Sequence, residues 1–482
     1  MQSAADAIPA ALAHQTQSVG MRFEDETLIV GVSSALSEED QQASAQKIKK
    51  ELKLEVVMQV VDADIIEELL SSLYREFAEN PMPTTQVIAT TGDAEGPIAA
   101  MVQGLLERSV RMRASDIHVE PTDKDLVVRL RIDGQLEELM RLPENVAPAI
   151  VSRLKVLAKM NIVERRRPQD GQFGFTVDGR AVDVRLATVS TIYGEKAVMR
   201  LLDTRRALTD LKGLGMTGER YEKFLKMVHS QHGLVIAAGP TGSGKTTTLH
   251  SALHEIDVQN LNVSTIEDPV EYVMKGINHL PVVEDIGVGF AVQLRALLRQ
   301  DPDVILVGET RDSETARISV QAALSGRLVL TSLHATDSLS VIFRLMQMDI
   351  EPYLVAASLR GVVSQRLLRR VCDYCAYEYN AHADEKLLLK PYTHATSIKL
   401  RRGKGCTVCR GTGYRDRVGV YQILDITERI REVISTRPDP VKLEQIAAEE
   451  GLKSLAHEAF QVALSGLTTI DEVVRLVSAN VE

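Results

Sequence analysis

Residues 233–247 read Gly-Leu-Val-Ile-Ala-Ala-Gly-Pro-Thr-Gly-Ser-Gly-Lys-Thr-Thr, and the rest of the chain is interpreted from them. The apolar run 233–239 has the length and composition of a buried strand, and a helix pattern follows from Thr247 to Glu255. Between them Gly239, Pro240, Thr241, Gly242, Ser243, Gly244, Lys245 and Thr246 match G-x-x-x-x-G-K-[ST], with Thr247 closing the nucleotide-binding segment. The glycines let backbone N–H groups turn inward around a β-phosphate. Lys245 supplies a point charge to the β and γ oxygens, and the Thr246 hydroxyl is placed to ligate magnesium. A Gly-rich turn with an accidental lysine would need neither the strand in front nor the helix behind. ATP and Mg²⁺ are the expected ligands.

Working outward, short apolar strands at 234–238, 263–266, 304–308 and 328–332 alternate with helical patterns, which predicts a parallel sheet wrapped by helices. A P-loop enzyme also needs a carboxylate at the end of a neighbouring strand. Val304-Ile-Leu-Val-Gly-Glu309 offers one: four apolar residues bury a strand, Gly308 opens it, and Glu309 emerges at the carboxyl end. Glu309 is the candidate to orient the attacking water or to reach Mg²⁺ through a water; the plainer reading is a surface Glu after a core strand. In Thr265-Ile-Glu-Asp-Pro-Val-Glu-Tyr272, the carboxylates of Glu267, Asp268 and Glu271 suit a metal–water shell, against the plainer reading of a solvated acidic loop.

At 482 residues the chain exceeds one typical domain, so about three folding units are expected. Charged residues make up 25% and apolar types 44%, an ordinary globular composition. No stretch approaches a membrane span. The N-terminus carries Asp6 and no basic segment, so it does not read as a signal peptide, and the expected compartment is the cytoplasm. With 56 basic against 66 acidic residues the formal charge is −10, which gives no electrostatic footprint for nucleic acid.

Residues 1–80 hold 6 basic and 15 acidic residues, marking a short acidic α/β module. Its pattern predicts a strand pair over Met21–Val32, helices over Glu38–Leu54 and Asp64–Glu76, and a strand over Glu55–Val61. Residues 81–96 read as a linker rich in Pro, Thr and Gly. Residues 97–205 form an α+β domain with helices from Pro97 and near Ala147–Met160, and with strand pairs turned at Asp133-Gly134 and Asp178-Gly179. Residues 206–482 make the P-loop domain.

With these residues in view, the chain resembles the GspE/PilB family of type II secretion and type IV pilus assembly ATPases. RASDIHVEP, RLRIDG, RRRPQDG, GPTGSGKTT, TIEDPVEY, LRALLRQDPDVILVGETRD, TSLHATDS and two CxxC pairs occur in the family's order from about Arg113 to about residue 430. The resemblance implies a RecA-like motor domain preceded by a PAS-like domain, a homo-hexamer, and ATP hydrolysis that assembles or extrudes pilin-like subunits at the inner membrane. By motif, residues 239–246 are the Walker A loop, Glu309 is the carboxylate of an atypical Walker B, and Glu267, Asp268 and Glu271 form the Asp box. His334 falls on the His box, where residue type alone would favour a structural histidine. Arg295, Arg299 and Arg311 flank the Walker B strand, and Arg153 and Arg166 lie where the family places nucleotide-facing arginines; solvated helix arginines are the alternative. The chain departs from the family at Arg327, usually His, and at Thr310, usually Ile. Its short N-terminal region shows no arginine-glycine signature of the cyclic-di-GMP-binding members.

Cys372-x₂-Cys375 and Cys406-x₂-Cys409, 30 residues apart, supply four thiolates, enough to close a tetrahedral Zn²⁺ site with no open position. This expectation places a zinc subdomain at about 370–415, with redox thiols or free buried cysteines as alternatives. Residues 361–417 carry 12 basic and 5 acidic side chains. Either they pair with acidic segments of the same hexamer, or they dock a platform protein or the anionic inner leaflet.

Three function classes follow. The first is a hexameric ATPase of pilus or type II secretion pseudopilus assembly, peripheral at the inner face of the cytoplasmic membrane and partnered by an inner-membrane platform protein and its accessory proteins. The second is a nucleic-acid motor, disfavoured by the acidic charge and the absence of an aromatic-rich basic stripe. The third is a non-catalytic scaffold, disfavoured because Lys245, Thr246 and Glu309 are all present. Retraction ATPases usually lack the cysteine pairs and the longer N-terminal region, which leaves an assembly or export motor.

Overall fold

The apolar runs expected as strands at 234–238, 263–266 and 328–332 lie in strands, and that at 304–308 does so as far as Val307. A computed structural model describes residues 4–73, 95–203, 210–436 and 438–478. Two units result: residues 1–206 with 372–376 and 403–415, and residues 207–371 with 377–402 and 416–482.

In the first unit, β1 (Ser18–Glu24), β2 (Thr27–Ser33) and β3 (Glu55–Val61) form a three-stranded sheet in that order. β1 is antiparallel to β2, and β3 is parallel to it. The helices are α1 (Ala10–Thr16), α2 (Glu38–Leu52) and α3 (Ala63–Leu73). Ser37 accepts the Asp40 N–H at 3.2 Å to cap α2, whose first turn is acidic and last turn basic, both favourable to the helix dipole. Lys53 adopts φ 53° and ends α2 two residues short of the apolar pattern. The expected linker lies outside the described residues from 81 to 94. Its last two positions, Glu95 and Gly96, already belong to α4 (Glu95–Arg111), with Pro97 in the first turn where its missing N–H costs nothing.

A six-stranded antiparallel sheet follows, built from β4 (Asp116–Pro121), β5 (Asp125–Ile132), β6 (Gln135–Pro143), β7 (Gln169–Val177), β8 (Arg180–Thr191) and β9 (Gly194–Asp203). The strand order is β6-β5-β4-β9-β8-β7. Two of its hairpins turn at the Asp-Gly pairs, with positive φ at Asp133 (47°), Gly134 (87°), Asp178 (49°) and Gly179 (70°), the twist-matched two-residue turn. Met101 and Leu105 of α4, and Ile150 and Leu154 of α5 (Ala147–Leu157), share one core with these strands.

The second unit opens with α6 (Glu219–Val228). It is built on β10 (Gly233–Ala238), β11 (Val263–Glu267), β12 (Asn278–Pro281), β13 (Val304–Val307), β14 (Leu328–Leu333) and β15 (Leu359–Val371). A small pair, β16 (Ala376–Asn380) with β17 (Lys399–Gly403), precedes β18 (Tyr414–Asp425). The seven-stranded order is β12-β11-β13-β14-β10-β15-β18, and the pairs from β12 through to β15 are parallel. Every residue of β10, β11, β13 and β14 is buried, as expected of strands covered on both faces. Because the strands are parallel, the loop after β10, Glu267 at the end of β11, Glu309 after β13 and His334 after β14 all emerge at one edge of the sheet.

Candidate active site and cysteine cluster

The phosphate loop turns from β10 into α7 (Lys245–Leu253), which starts two residues before the sequence pattern places it. Gly239 sits at φ 151°, where a Cβ would stand 2.5 Å from Ser243 Oγ and 2.7 Å from the Gln365 carbonyl, so only glycine allows the loop to close. Lys245 Nζ donates to the carbonyls of Gly239 at 2.9 Å and Pro240 at 3.0 Å. Burial lowers its pKa while the Glu309 carboxylate opposes the shift. Ser243 Oγ is buried with no hydrogen-bond partner among the described residues, and a phosphate oxygen suits it as an acceptor. Thr246 is exposed at the first turn of α7, and Thr247 is half-buried.

Glu309 Oε1 pairs with Arg311 at 2.6 Å. The Gly308 N–H donates to Ile266 at 2.8 Å and its carbonyl accepts from Ser332 Oγ at 2.8 Å, which ties the turn before Glu309 to both neighbouring strands. Thr310 is buried, and its hydroxyl meets Thr331 Oγ1 at 2.9 Å. Partial desolvation and the Lys245 charge hold the His334 pKa below its ordinary value, Glu309 acting in the opposite direction and Arg311 in the same. Lys245, Glu309, Arg311 and His334 therefore share one electrostatic environment.

The Asp box divides. Both oxygens of the buried Glu267 are occupied: one lies 3.1 Å from His250 Nε2, off the ideal hydrogen-bonding line, and the other accepts from Thr265 Oγ1 at 2.6 Å and lies 3.3 Å from His279 Nδ1. The Met274 N–H donates to His279 Nε2 at 3.0 Å, which leaves the His279 proton on Nδ1. His250 Nδ1 meets the Thr246 carbonyl at 3.0 Å, so this imidazole joins Glu267 to the first turn of α7. Burial alone would lower the His250 pKa, but the Glu267 carboxylate raises it; burial alone would raise that of Glu267, but His250 lowers it. The stabilisation from Glu267 is lost as pH falls through its depressed pKa, and that from His250 as pH rises through its elevated one. The pair is therefore intact between the ordinary values of 4.5 and 6.5 and somewhat beyond each. Glu267→Gln removes one partner of a buried charged pair and is expected to cost about 3 kcal/mol, read as a fall in urea-unfolding free energy at pH 6. Asp268 is exposed and Glu271 half-buried.

Arg295, on α8 (Phe290–Leu297), is paired with Glu314, and Arg299 donates to the Arg295 carbonyl at 2.9 Å. Arg153 and Arg166 belong to the first unit. Arg153 lies on α5, its Nε buried without a partner among the described residues. Arg166 is exposed in a loop held by Glu164, which accepts the backbone N–H groups of Arg166 at 2.7 Å and Arg167 at 3.3 Å.

Sequence reasoning missed four groups. His250 and His279 are two. Gln365 Nε2 donates to the Ser243 carbonyl at 2.7 Å, bracing the phosphate loop. Arg366, mostly buried, donates to the carbonyls of Gln365 at 3.0 Å and Thr336 at 2.9 Å, and its charge helps lower the Lys245 pKa. A Gln-Arg pair flanked by Val362-Val363 and Leu367-Leu368 in the middle of β15 was the available signal.

The four cysteines are buried and their sulfurs all lie within 4.8 Å of one another. Sγ–Sγ separations of 3.9 Å (Cys372–Cys406), 3.8 Å (Cys375–Cys409) and 3.7 Å (Cys406–Cys409) match the edge of about 3.8 Å in a tetrahedron with metal–sulfur bonds of about 2.3 Å. The N–H groups of Cys406 and Gly413 point at Cys409 Sγ at 3.1 and 3.2 Å, as suits a thiolate. This donor set fits a closed metal site.

A parallel sheet with a glycine-rich phosphate loop after the interior strand β10 and a carboxylate after β13, one strand beyond β14, defines a P-loop ATPase of RecA-like fold. The family model described as "Type II/IV secretion system protein" matches residues 91–475, and the chain belongs to that family. It is 41% identical over 414 residues to the type II secretion system protein E of Klebsiella pneumoniae, covering 86% of this chain and 82% of that one. It is 40% identical over 405 residues to the type IV pilus assembly ATPase PilB of Thermus thermophilus, covering 84% of this chain but 45% of that one. Among solved structures, the pilus retraction motor PilT with bound ADP superposes with a TM-score of 0.52 at 26% identity, covering 77% of this chain and 95% of that one. The Legionella pneumophila ATPase DotB, at 19% identity and a TM-score of 0.58 over 79% of this chain and 96% of that one, shares the fold. The nucleic-acid reading finds no support in these relatives. No helix among the described residues is long and apolar enough to cross a membrane.

Proposed function

We propose that the chain works as a hexameric ATPase that couples hydrolysis to assembly of a pilus or type II secretion pseudopilus, at the cytoplasmic face of the inner membrane and in contact with a platform protein. The observation that carries this is the convergence of Lys245, Glu309 and His334 at one sheet edge beside the phosphate loop, in a chain related over most of its length to secretion and pilus ATPases. In this reading residues 239–247 bind the triphosphate. Lys245 leaves its two carbonyl partners for the β and γ oxygens, and the buried Ser243 hydroxyl donates to a phosphate oxygen. Glu309 orients the attacking water, with Arg311 fixing its carboxylate, and the neutral His334 donates to the γ-phosphate. Arg295, Arg299, Arg153 and Arg166 are the remaining candidates for a charge clamp. Mg²⁺ held at Thr246 would neutralise charge on the β and γ oxygens, and Asp268 and Glu271 are the Asp-box carboxylates left to orient its waters. Zn²⁺ would be held by Cys372, Cys375, Cys406 and Cys409 and would serve structure only.

This reading is tested against the nucleic-acid motor by steady-state hydrolysis of the purified full chain with and without single- and double-stranded DNA. The rate is expected to stay within about twofold, since a protein of this charge lacks the phosphate contacts that make DNA binding strong and salt-dependent. A salt-sensitive rise in rate on adding DNA would reverse the assignment.

A further inference from the structure

The two cysteine hairpins are continuous in sequence with β15–β18, yet residues 372–376 and 403–415 cluster with the first unit. Arg410 reaches the Met112 carbonyl at 3.3 Å and Glu137 at 3.7 Å, and the other contacts made there are with the acidic N-terminal module. The Thr407 N–H donates to the Met21 carbonyl at 2.8 Å, and its hydroxyl donates to the Gly20 carbonyl at 2.7 Å. The Tyr374 carbonyl accepts from Arg22 at 2.9 Å and Gln59 at 3.1 Å, while its hydroxyl donates to Asp62 at 2.8 Å. Lys404 pairs with Glu24 at 2.8 Å, and Arg415 with Glu68 at 3.1 Å. Two of the basic side chains of 361–417, Lys404 and Arg415, thus pair with carboxylates of the acidic module in the same chain. The cysteines and Val408 also belong to the same apolar core as Val19, Met21, Leu28, Ile48 and Ile66.

Tyr374 lies between Cys372 and Cys375, and Thr407 between Cys406 and Cys409, so the positions of both contact residues follow from the arrangement of the sulfurs. The segments Cys372–Ala376 and Gly403–Arg415 contain four glycines and little apolar side chain besides Val408 and the cysteines, too little to hold that shape unaided. We infer that the four-cysteine metal site is the fastening for the N-terminal module: with metal bound, the hairpins form the surface on which residues 4–73 of the same chain dock and complete its core, and without metal they do not. This rests on the zinc reading above and adds that occupancy governs where the module is held.

The test is amide hydrogen exchange on the full chain as purified and after chelation, with zinc counted by elemental analysis in each sample. One zinc per chain is expected before chelation. Its removal should raise exchange of Thr407 and of residues 18–33 by on the order of tenfold while β10 and α7 are unchanged. Arg22→Ala combined with Asp62→Ala leaves every cysteine in place, and should keep the zinc yet raise exchange at Thr407. Loss of zinc with exchange at 18–33 and Thr407 unaltered would overturn the fastening while leaving the zinc reading intact. A chain purified without metal but with the same protected module would overturn both.

Discussion

Lys245→Ala is expected to weaken ATP binding by about 10²-fold or more and to reduce hydrolysis to background. A charged donor to phosphate is worth about 1.5–3 kcal/mol in its hydrogen bonds alone, and tenfold in affinity corresponds to about 1.4 kcal/mol. Lys245 is nine-tenths buried and held by two loop carbonyls, so its charge is already largely desolvated beside the loop before nucleotide arrives. Alanine removes the charge and leaves those carbonyls without their donor. Titration with a fluorescent ATP analogue reads the first effect, and phosphate release reads the second. Wild-type affinity in the variant would remove Lys245 from the phosphate site.

Glu309→Gln should separate binding from turnover. The amide keeps the shape of the carboxylate and leaves the loop from Gly239 to Thr246 untouched, so KM for ATP should stay within about threefold while kcat falls at least about 10²-fold, the order expected for loss of a positioned catalytic group. The pairing with Arg311 weakens at the same time, because a neutral amide accepts less strongly than a carboxylate. Steady-state kinetics over a range of ATP concentrations distinguish the two parameters. A fall in affinity with kcat preserved would instead place Glu309 in nucleotide binding.

The parts of this architecture readable from sequence are those set by near neighbours. The phosphate loop, the carboxylate after β13 and the Asp-Gly hairpins each depend on a few consecutive residues whose backbone demands are local, such as the positive φ at Asp133 and Gly134. The role of Glu267 was not readable in this way. Its acidic neighbours suggest a metal–water shell, but the parallel pairing of β11 with β12 sets Thr265 opposite His279, and α7 carries His250 to the other oxygen. Nothing in the segment 265–272 records either histidine. Gln365 lies 122 positions from the loop carbonyl it braces, and Tyr374 lies 352 positions from Arg22. Local pattern identified the four-cysteine cluster and the excess basic charge around it; what Lys404 and Arg415 face depends on tertiary packing with the far end of the chain.

The central claim is that hydrolysis at this site drives filament or pseudopilus assembly. It is tested most directly by replacing the native gene with the Glu309→Gln variant and quantifying assembled surface filaments and exported proteins, with chain abundance verified. The account predicts normal abundance with assembly and export both lost. Filaments and export at wild-type levels from a variant shown to be hydrolytically dead would contradict it.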